Sequence, residues 1–450
     1  MNFKTLISLS LHWLSFGSNF SYCQEKVTAR EPTSALHEYV KKPDTSFDFQ
    51  DYHQIKVADG TFYEVNLISQ TWQSITWKHR LIIYFPYNAK YPNTMLVVLR
   101  HIYNRNAGVA SLKIISDSTG TPAAILYDIP NQPLFDGKEE DDLQAYTFSQ
   151  YIKTGDATWP LLFPMVKSVV RAMDAVQLLA RKEKKSTVND FVVAGHSKRG
   201  HTTWLTAAAD KRVKGIIPIA IDILNSSEQL PHHIEAFGAY STPTKAATDF
   251  LEEINQPRGQ SLIKMIDAYS YKEQLTQPKL IVLATNDDFF TTDALNLYWD
   301  GLSEPKSILY LSNATHVRAD ADARINPTAF AFVRAIASHK NLPELSWQYQ
   351  RHENNIALKI KTDTTATIAI LWTSESNSKD FRQSVWTPQP MSLIDKSNQS
   401  KIKSKSVKEY SIEVMVPATG YMAIFGEVEF RQGDHVFLLS TQTSINAINK

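Results

Sequence analysis

Short apolar runs of strand length recur upstream of Pro343, and stretches with helical spacing lie between them. Residues 80–85 (RLIIYF), 94–102 (TMLVVLRHI) and 123–130 are the first three such runs. Residues 163–182 then carry Met165, Val166, Val169, Val170, Met173, Val176 and Leu179 at the three-and-four spacing of one helix face. Further runs lie at 190–194 (DFVVA), 213–221, 279–285 and 307–311. A helix is expected over 199–210, polar helical and loop material over 226–277, another helix between the last two runs, and a closing helix over 327–337. Continuous apolar strands that alternate with helices predict a mostly parallel sheet covered on both faces. Residues 24–60, ahead of this pattern, are polar and read as irregular.

The pattern changes near Pro343. Strand signals then follow one another without helices, at 356–361, 367–372, 410–416, 421–430 and 436–440. Ser411, Ile412, Glu413 and Val414 alternate as a half-buried strand requires. This spacing predicts a sandwich of about 100 residues, with a Ser- and Lys-rich exposed loop at 392–408. At the other end, Lys4 precedes an apolar stretch from Leu6 to Phe16, and Ser21 and Cys23 lie just before Gln24. That order reads as a signal peptide over 1–23. The expected organisation is a leader at 1–23, an α/β domain at 24–344 and a β-sandwich at 345–450.

Composition narrows the function classes. Hydrophobic residues make up 43% of the chain and charged residues 21%, the balance of a folded protein. Lys and Arg number 47 against 46 acidic residues, a net charge of +1. A chain so nearly neutral has no overall attraction for nucleic acid, and none is expected as a partner. The single cysteine, Cys23, falls in the expected leader, so the processed chain has no disulfide and no thiol nucleophile. No later run approaches the roughly 20 apolar residues that span a bilayer. A secreted or periplasmic location is therefore expected, with no integral membrane segment after processing. His232 and His233 do not share a helix face, and no zinc or calcium spacing is present, so neither a metal nor another cofactor is expected. Nothing in the sequence fixes an oligomeric state.

The sharpest local feature is Gly195-His196-Ser197-Lys198-Arg199-Gly200, between a predicted buried strand and a predicted helix. A nucleophile elbow needs that setting: a tight strained turn flanked by small residues, with the serine hydroxyl exposed at the sheet edge. The ordinary pattern has glycine two residues after the serine, whereas here Arg199 stands there and glycine follows at 200. Ser197 therefore reads either as a nucleophile or as a helix N-cap. A nucleophilic serine needs a histidine base and an acid that orients it, in the chain order serine, acid, histidine. Asp287 and Asp288 follow the run at 279–285, and His316 follows the run at 307–311. Each lies at the carboxyl end of a predicted parallel strand, where α/β sites are built. Asp287 is the expected acid and Asp288 its alternative. The Lys198 N–H, at the helix start, is one expected oxyanion donor. The loop Arg100-His101-Ile102-Tyr103-Asn104 should supply the other but lacks glycines, so the His101 side chain is the candidate. Arg199, Glu140, Asp141 and Asn131 are candidate substrate-binding residues. The acidic run 139–142 reads more readily as the start of a helix than as a substrate contact. Trp72, Trp77, Trp159 and Trp204 read as core or interface residues.

Several segments are similar to those of the PhoPQ-activated pathogenicity-related protein family, which also takes in autocrine proliferation repressor-like proteins. They are Ser69-Gln70-Thr71-Trp72-Gln73, Pro130-Asn131-Gln132-Pro133-Leu134, Ala145-Tyr146-Thr147, Pro164-Met165-Val166-Lys167 and Arg171-Ala172-Met173-Asp174. Ser197-Lys198-Arg199-Gly200 with Thr202 to Ala208, Asp288-Phe289-Phe290, Asn313-Ala314-Thr315-His316, Asp380-Phe381-Arg382 and Gly420-Tyr421-Met422-Ala423 complete the set. The resemblance covers roughly residues 69–443. It implies an α/β-hydrolase fold followed by a small C-terminal immunoglobulin-like β-sandwich, and it makes Arg199 a family feature of the elbow. This chain departs from the family at His196, at His201 and in the glycine-poor loop 100–104. The resemblance implies an exported serine-hydrolase architecture linked to virulence or extracellular signalling, and names no substrate. Two main readings follow: a hydrolase that cleaves a peptide or ester, and a secreted binding or signalling protein on a hydrolase scaffold without turnover. A third makes the sandwich the functional part, as an adhesive or substrate-presenting module.

Overall fold

The computed structural model describes residues 34–185, 187–239, 253–316, 321–394 and 407–447, which fall in one compact unit, Pro32–Lys450. The leader expected at 1–23, with Cys23, and most of the loop expected at 392–408 lie outside the described residues.

The described chain begins with structure where irregular chain was expected. Helix α1 (Ser34–Lys41) buries only Leu36 and Val40, a stripe too short to stand out in the sequence. Strand β1 (Tyr52–Val57) is half exposed at the sheet edge. It pairs antiparallel with β2 (Gly60–Trp72), and β2 pairs antiparallel with β3 (Ile75–Pro86).

The α/β pattern follows as β4 (Thr94–Leu99), α2 (Arg105–Thr119), β5 (Ala123–Leu126), α3 (Glu140–Thr154), α4 (Leu162–Lys182), β6 (Asp190–His196), α5 (Lys198–Ala209) and β7 (Val213–Ile219). It continues through α6 (Ser226–Phe237), α7 (Pro257–Ile266), β8 (Lys279–Ala284), β9 (Lys306–Leu311) and α8 (Ala321–Ala337). In space β5, β4, β6, β7, β8 and β9 lie side by side and parallel, with β3 antiparallel beside β5. This is an α/β-hydrolase-like core. Each β6 side chain faces a core opposite to that of its neighbour: Phe191 and Val193 one way, Val192 and Ala194 the other. Burial on both faces explains why these strands read as unbroken apolar runs. All six residues of β8 are buried, and even Lys279 is accommodated because its Nζ reaches the Ser303 carbonyl at 2.7 Å.

Two expected helices differ. Between β8 and β9 the chain makes short 3-10 turns, Ala294–Leu297 and Trp299–Gly301, instead of an α-helix. Helix α8 begins at Ala321, before the expected start, and carries Pro327 inside it. A proline reads as a first-turn residue from sequence, but here only one rung of the helix ladder is lost to it.

The sheet is mixed rather than mostly parallel, because antiparallel strands extend it at both edges, β1 to β3 beside β5 and the C-terminal strands past β9. The C-terminal strands are β10 (Leu345–His352), β11 (Asn355–Thr362), β12 (Ala366–Ser376), β13 (Thr387–Pro390), β14 (Ser392–Leu393), β15 (Lys408–Met415), β16 (Tyr421–Gln432), β17 (His435–Ser440) and β18 (Ser444–Asn446). Ser440 of β17 pairs with Ile308 of β9, and the order runs on through β17, β16, β12 and β13. The separate antiparallel sheet β10-β11-β15-β14 lies over it. Contact between the layers is close: a Cβ added to Gly426 would sit 2.5 Å from Ile360 Cδ1 of β11.

The seam is tied by hydrogen bonds. Tyr310 N–H donates to Ser440 Oγ at 2.9 Å. Fully buried Thr328 of α8 accepts from Leu438 N–H and donates to Leu438 O, both at 3.1 Å. Thr328→Val preserves shape but leaves both Leu438 groups unpaired. Urea unfolding is expected to show one transition, weakened by about 1–3 kcal/mol. A second transition that alone moves would mean that the C-terminal strands fold independently.

Candidate active site

The turn after β6 places Ser197. Its backbone is at φ 57° and ψ −127°, a conformation that costs a non-glycine residue of order 1–3 kcal/mol. The turn is held from both sides: Ser197 N–H donates to Ile219 O at 2.8 Å, and His201 N–H donates to Ser197 O at 3.0 Å. The flanking glycines are steric necessities. A Cβ at Gly195 would lie 2.5 Å from Arg199 O, and one at Gly200 would lie 2.7 Å from Ile221 Cγ2 and 2.9 Å from Gly195 O. Gly200 thus provides the close approach to the β7 end, which leaves the preceding position open to Arg199. The Ser197 side chain makes no capping bond to α5, contrary to the N-cap alternative.

Asp287 and His316 reach the same edge from β8 and β9. His316 Nε2 is 3.0 Å from Ser197 Oγ, and His316 Nδ1 is 2.9 Å from Asp287 Oδ2. A carboxylate only accepts, so Nδ1 carries the ring proton and Nε2 is left to accept from the serine hydroxyl. Asp287 is buried and also accepts the Phe289 N–H at 2.8 Å. Asp288 is exposed, and the carboxylate that accepts from His316 is that of Asp287. The Phe289 ring lies 4.5 Å from the His316 ring and shields it. His196 Nε2 donates to the His316 carbonyl at 2.8 Å.

Sequence reasoning missed the residues that brace these loops. Buried Asn286 donates through Nδ2 toward the carbonyls of Phe381, Arg382 and Ser384, at 3.1, 3.2 and 2.7 Å. Asn313 donates to Trp386 O at 2.9 Å and accepts from Trp386 N–H at 2.8 Å. Thr285 Oγ1 joins the two loops, donating to Asn286 Oδ1 at 2.8 Å and accepting from Asn313 N–H at 2.9 Å. An asparagine beside the acid and another before the histidine were the available signal. Asp222 was also missed. Burial, with Asp287 and Asp293 nearby, pushes its carboxyl up to about 8 and leaves it largely uncharged at neutral pH.

The charged candidates form a second network beside the elbow. Glu140, in the first turn of α3, pairs with both Lys198 Nζ and Arg199 Nη2, and Lys198 also reaches Asp141 Oδ1 at 2.8 Å. Arg199 Nε donates to Ile129 O at 2.6 Å. Gln132 Nε2 donates to Glu140 Oε1 at 2.8 Å, and the His101 ring lies 3.1 Å from Gln132 Nε2 and 3.5 Å from Glu140. Burial opposes ionisation of Glu140, but the Arg199 hydrogen bond and the Lys198 charge outweigh it and hold the carboxyl at about 2. Asn131 Oδ1 accepts the Lys78 N–H at 2.5 Å. Trp72, Trp77 and Trp204 are buried, and Trp159 packs edge-on against Trp72. Among the described residues no group of three His, Cys, Asp or Glu is placed to hold a metal, and no helix is long and apolar enough to cross a membrane.

Comparison with known proteins places the chain. Autocrine proliferation repressor protein A of Dictyostelium discoideum is 28% identical over 436 residues, covering 88% of this chain and 86% of that protein. Among solved structures, acetyl xylan esterase 1 from Thermoanaerobacterium sp. superposes with a TM-score of 0.49 at 12% identity, over 68% of this chain and 93% of that chain. The acetyl xylan esterase from Paenibacillus sp. gives 0.49 at 13% identity, over 67% and 92%. Residues 36–382 match the family model described as PhoPQ-activated pathogenicity-related protein. That span holds the elbow, both loops that meet it and the 381–382 backbone that braces them, and the chain belongs to the PhoPQ-activated pathogenicity-related protein family.

Proposed function

We propose that the protein is an exported serine hydrolase that cleaves a peptide or ester bond through an acyl-enzyme. The observation that carries this reading is the unbroken hydrogen-bonded chain from Ser197 Oγ through His316 to buried Asp287. In the first step Ser197 Oγ attacks the acyl carbonyl while its proton passes to His316 Nε2. His316 then gives that proton to the departing amine or alcohol. Asp287 holds the imidazole tautomer and offsets the positive charge that forms on the ring. Water, deprotonated by the same nitrogen, releases the acyl group and restores Ser197. The developing oxyanion is met by the Lys198 N–H, one of the first-turn donors of α5. The loop with His101 borders the other side, although its ring is engaged by Gln132 and Glu140.

The ion network changes how the other candidates are assigned. Glu140 is engaged by two cations and an amide, so we assign it to holding the elbow's cations instead of a substrate. Among the described residues Asp141 has a single such partner, Lys198, and is more exposed, so it is the acid kept for a substrate amine. Asn131 is assigned to holding the loop against β3. We read the two antiparallel layers after residue 345 as an immunoglobulin-like sandwich joined to a 24–344 hydrolase domain. The leader-like residues 1–23 support export to the periplasm or beyond.

A fluorophosphonate probe is expected to label the wild type and not Ser197→Ala. Asp287→Asn should slow labelling by about 10⁴-fold, by analogy with loss of the orienting acid in other triads, whereas Asp288→Asn should leave it unchanged. Absence of labelling in folded wild type would favour the binding-protein alternative.

Glu140 gives a separate test by pH. Its folded carboxyl lies below the ordinary value of 4.5, so its stabilisation is full above that value and is lost as pH falls toward about 2. The difference in Tm between wild type and Glu140→Gln should hold constant from about pH 7 to 5 and narrow below about pH 4.5. A difference that ignores pH would remove the carboxylate from the account.

A further inference from the structure

An open cavity of about 550 Å³ lies between the chain that follows the Asp287 loop and the C-terminal strands. One wall is β10, whose alternate residues Trp347, Tyr349 and Arg351 share a face and all line the cavity. The other wall is the segment 442–447, which holds its place because β18 pairs with β16 through Met422 and Asn446. Tyr421 and Asn296 complete the lining used here.

The walls are fixed by bonds that leave several groups available. Tyr349 Oη donates to Gln442 O at 2.6 Å. Gln442 Nε2 donates to Asn296 Oδ1 at 2.8 Å, and Asn296 Nδ2 donates to Thr443 O at 2.9 Å. These contacts hold the two amides in a defined orientation without a ligand, which lowers the ordering cost of binding one. The charges are also sorted. Asp293 is engaged by His232 Nε2 at 2.7 Å, and Lys379 by Glu235 at 2.6 Å. Arg351 has no carboxylate partner among the described residues. The cavity therefore offers one uncommitted guanidinium, the partly exposed rings of Trp347 and Tyr421, and fixed amides between them.

That combination suits a particular chemistry. A guanidinium fork matches a carboxylate in a bidentate pair. Aromatic faces pack against the C–H face of a saturated sugar ring, and amides serve its hydroxyls. Among the described lining residues only Ile445 and Ala447 are aliphatic, too few for the apolar pockets a peptide side chain would need. Among the described residues the cavity has a single free cation, a poor match to a polyphosphate. We propose that this cavity is a binding site for a sugar acid, a pyranose carrying a carboxylate, as part of an acidic oligosaccharide. The site is distinct from the Ser197 machinery and does not depend on turnover there.

Calorimetric titration of the processed protein with a galacturonate tetramer, beside neutral cellotetraose and a C-terminally free tetrapeptide, tests this. The acidic tetramer should bind wild type and Ser197→Ala equally. Arg351→Ala, at an exposed side chain, should weaken it at least tenfold, and Arg351→Lys should fall between. Tyr421→Ala should weaken both acidic and neutral sugars, with near-ultraviolet circular dichroism checking that the variant is folded. Equal binding of neutral and acidic sugar, preference for the tetrapeptide, no effect of Arg351→Ala, dependence on Ser197 or no binding would each overturn the assignment.

Discussion

β6, β8 and β9 run in the same direction, so the chain leaves all three at one edge of the sheet. Ser197 follows β6 directly, Asp287 comes soon after β8 and His316 soon after β9. The order β6-β7-β8-β9 brings the three loops to one region of that edge, and the loops themselves then close the 3.0 Å and 2.9 Å contacts. The unfavourable backbone at Ser197 persists because β7 accepts its N–H and α5 begins at the next residue. A buried sheet flanked by packed helices over-determines the turn, and this is how a strained conformation survives in a folded protein.

Parallel strand ends fix where loops start but not where they finish. Residues 285–287 and 312–316, which leave β8 and β9, are irregular and largely buried, and their buried backbone and amide groups need partners. Much of the bracing comes from residues 381–386, which lie between β12 and β13. Asn286 and Asn313 each use their side-chain amides on that segment, and Thr285 joins the two loops directly. The strands after residue 345 therefore do more than extend the sheet. They carry the segment against which the acid and histidine loops are positioned, so a change in the C-terminal layer has a direct covalent and hydrogen-bonded route to the site.

What was legible in the sequence was what is local. The elbow could be read because Gly195 and Gly200 stand within a few residues of Ser197 and their role is steric. The core strands could be read because burial on both faces makes them continuous apolar runs. The choice between Asp287 and Asp288 could not, since adjacent residues differ only in the direction the loop turns them. β1 escaped notice because an edge strand buries little, and α1 because two buried residues make no period. Glu140 could be placed at an acidic helix start, but its pairing with Lys198 and Arg199 spans 58 and 59 residues and rests on tertiary structure. The β10 cavity was invisible for the same reason: its walls come from segments far apart in the chain.

His196 shows how a departure from the family pattern is accommodated beside the nucleophile. Its ring lies 4.9 Å from that of His316, where a second positive charge would oppose the protonation of His316 that the proposed mechanism requires. Burial is the main cause that lowers the His196 pKa, with His316 adding to it, so the ring stays neutral at ordinary pH. A neutral imidazole still has one N–H, and that N–H is directed to the His316 carbonyl at 2.8 Å. The residue thus supplies a positioning hydrogen bond to the base without supplying a charge that would weaken it. An alanine or glycine in its place would also avoid the charge but would leave the His316 backbone to be held by its other contacts alone. The larger side chain is tolerated because it leaves β6 toward the histidine loop, while Gly195 and Gly200 keep the close approaches of the turn itself.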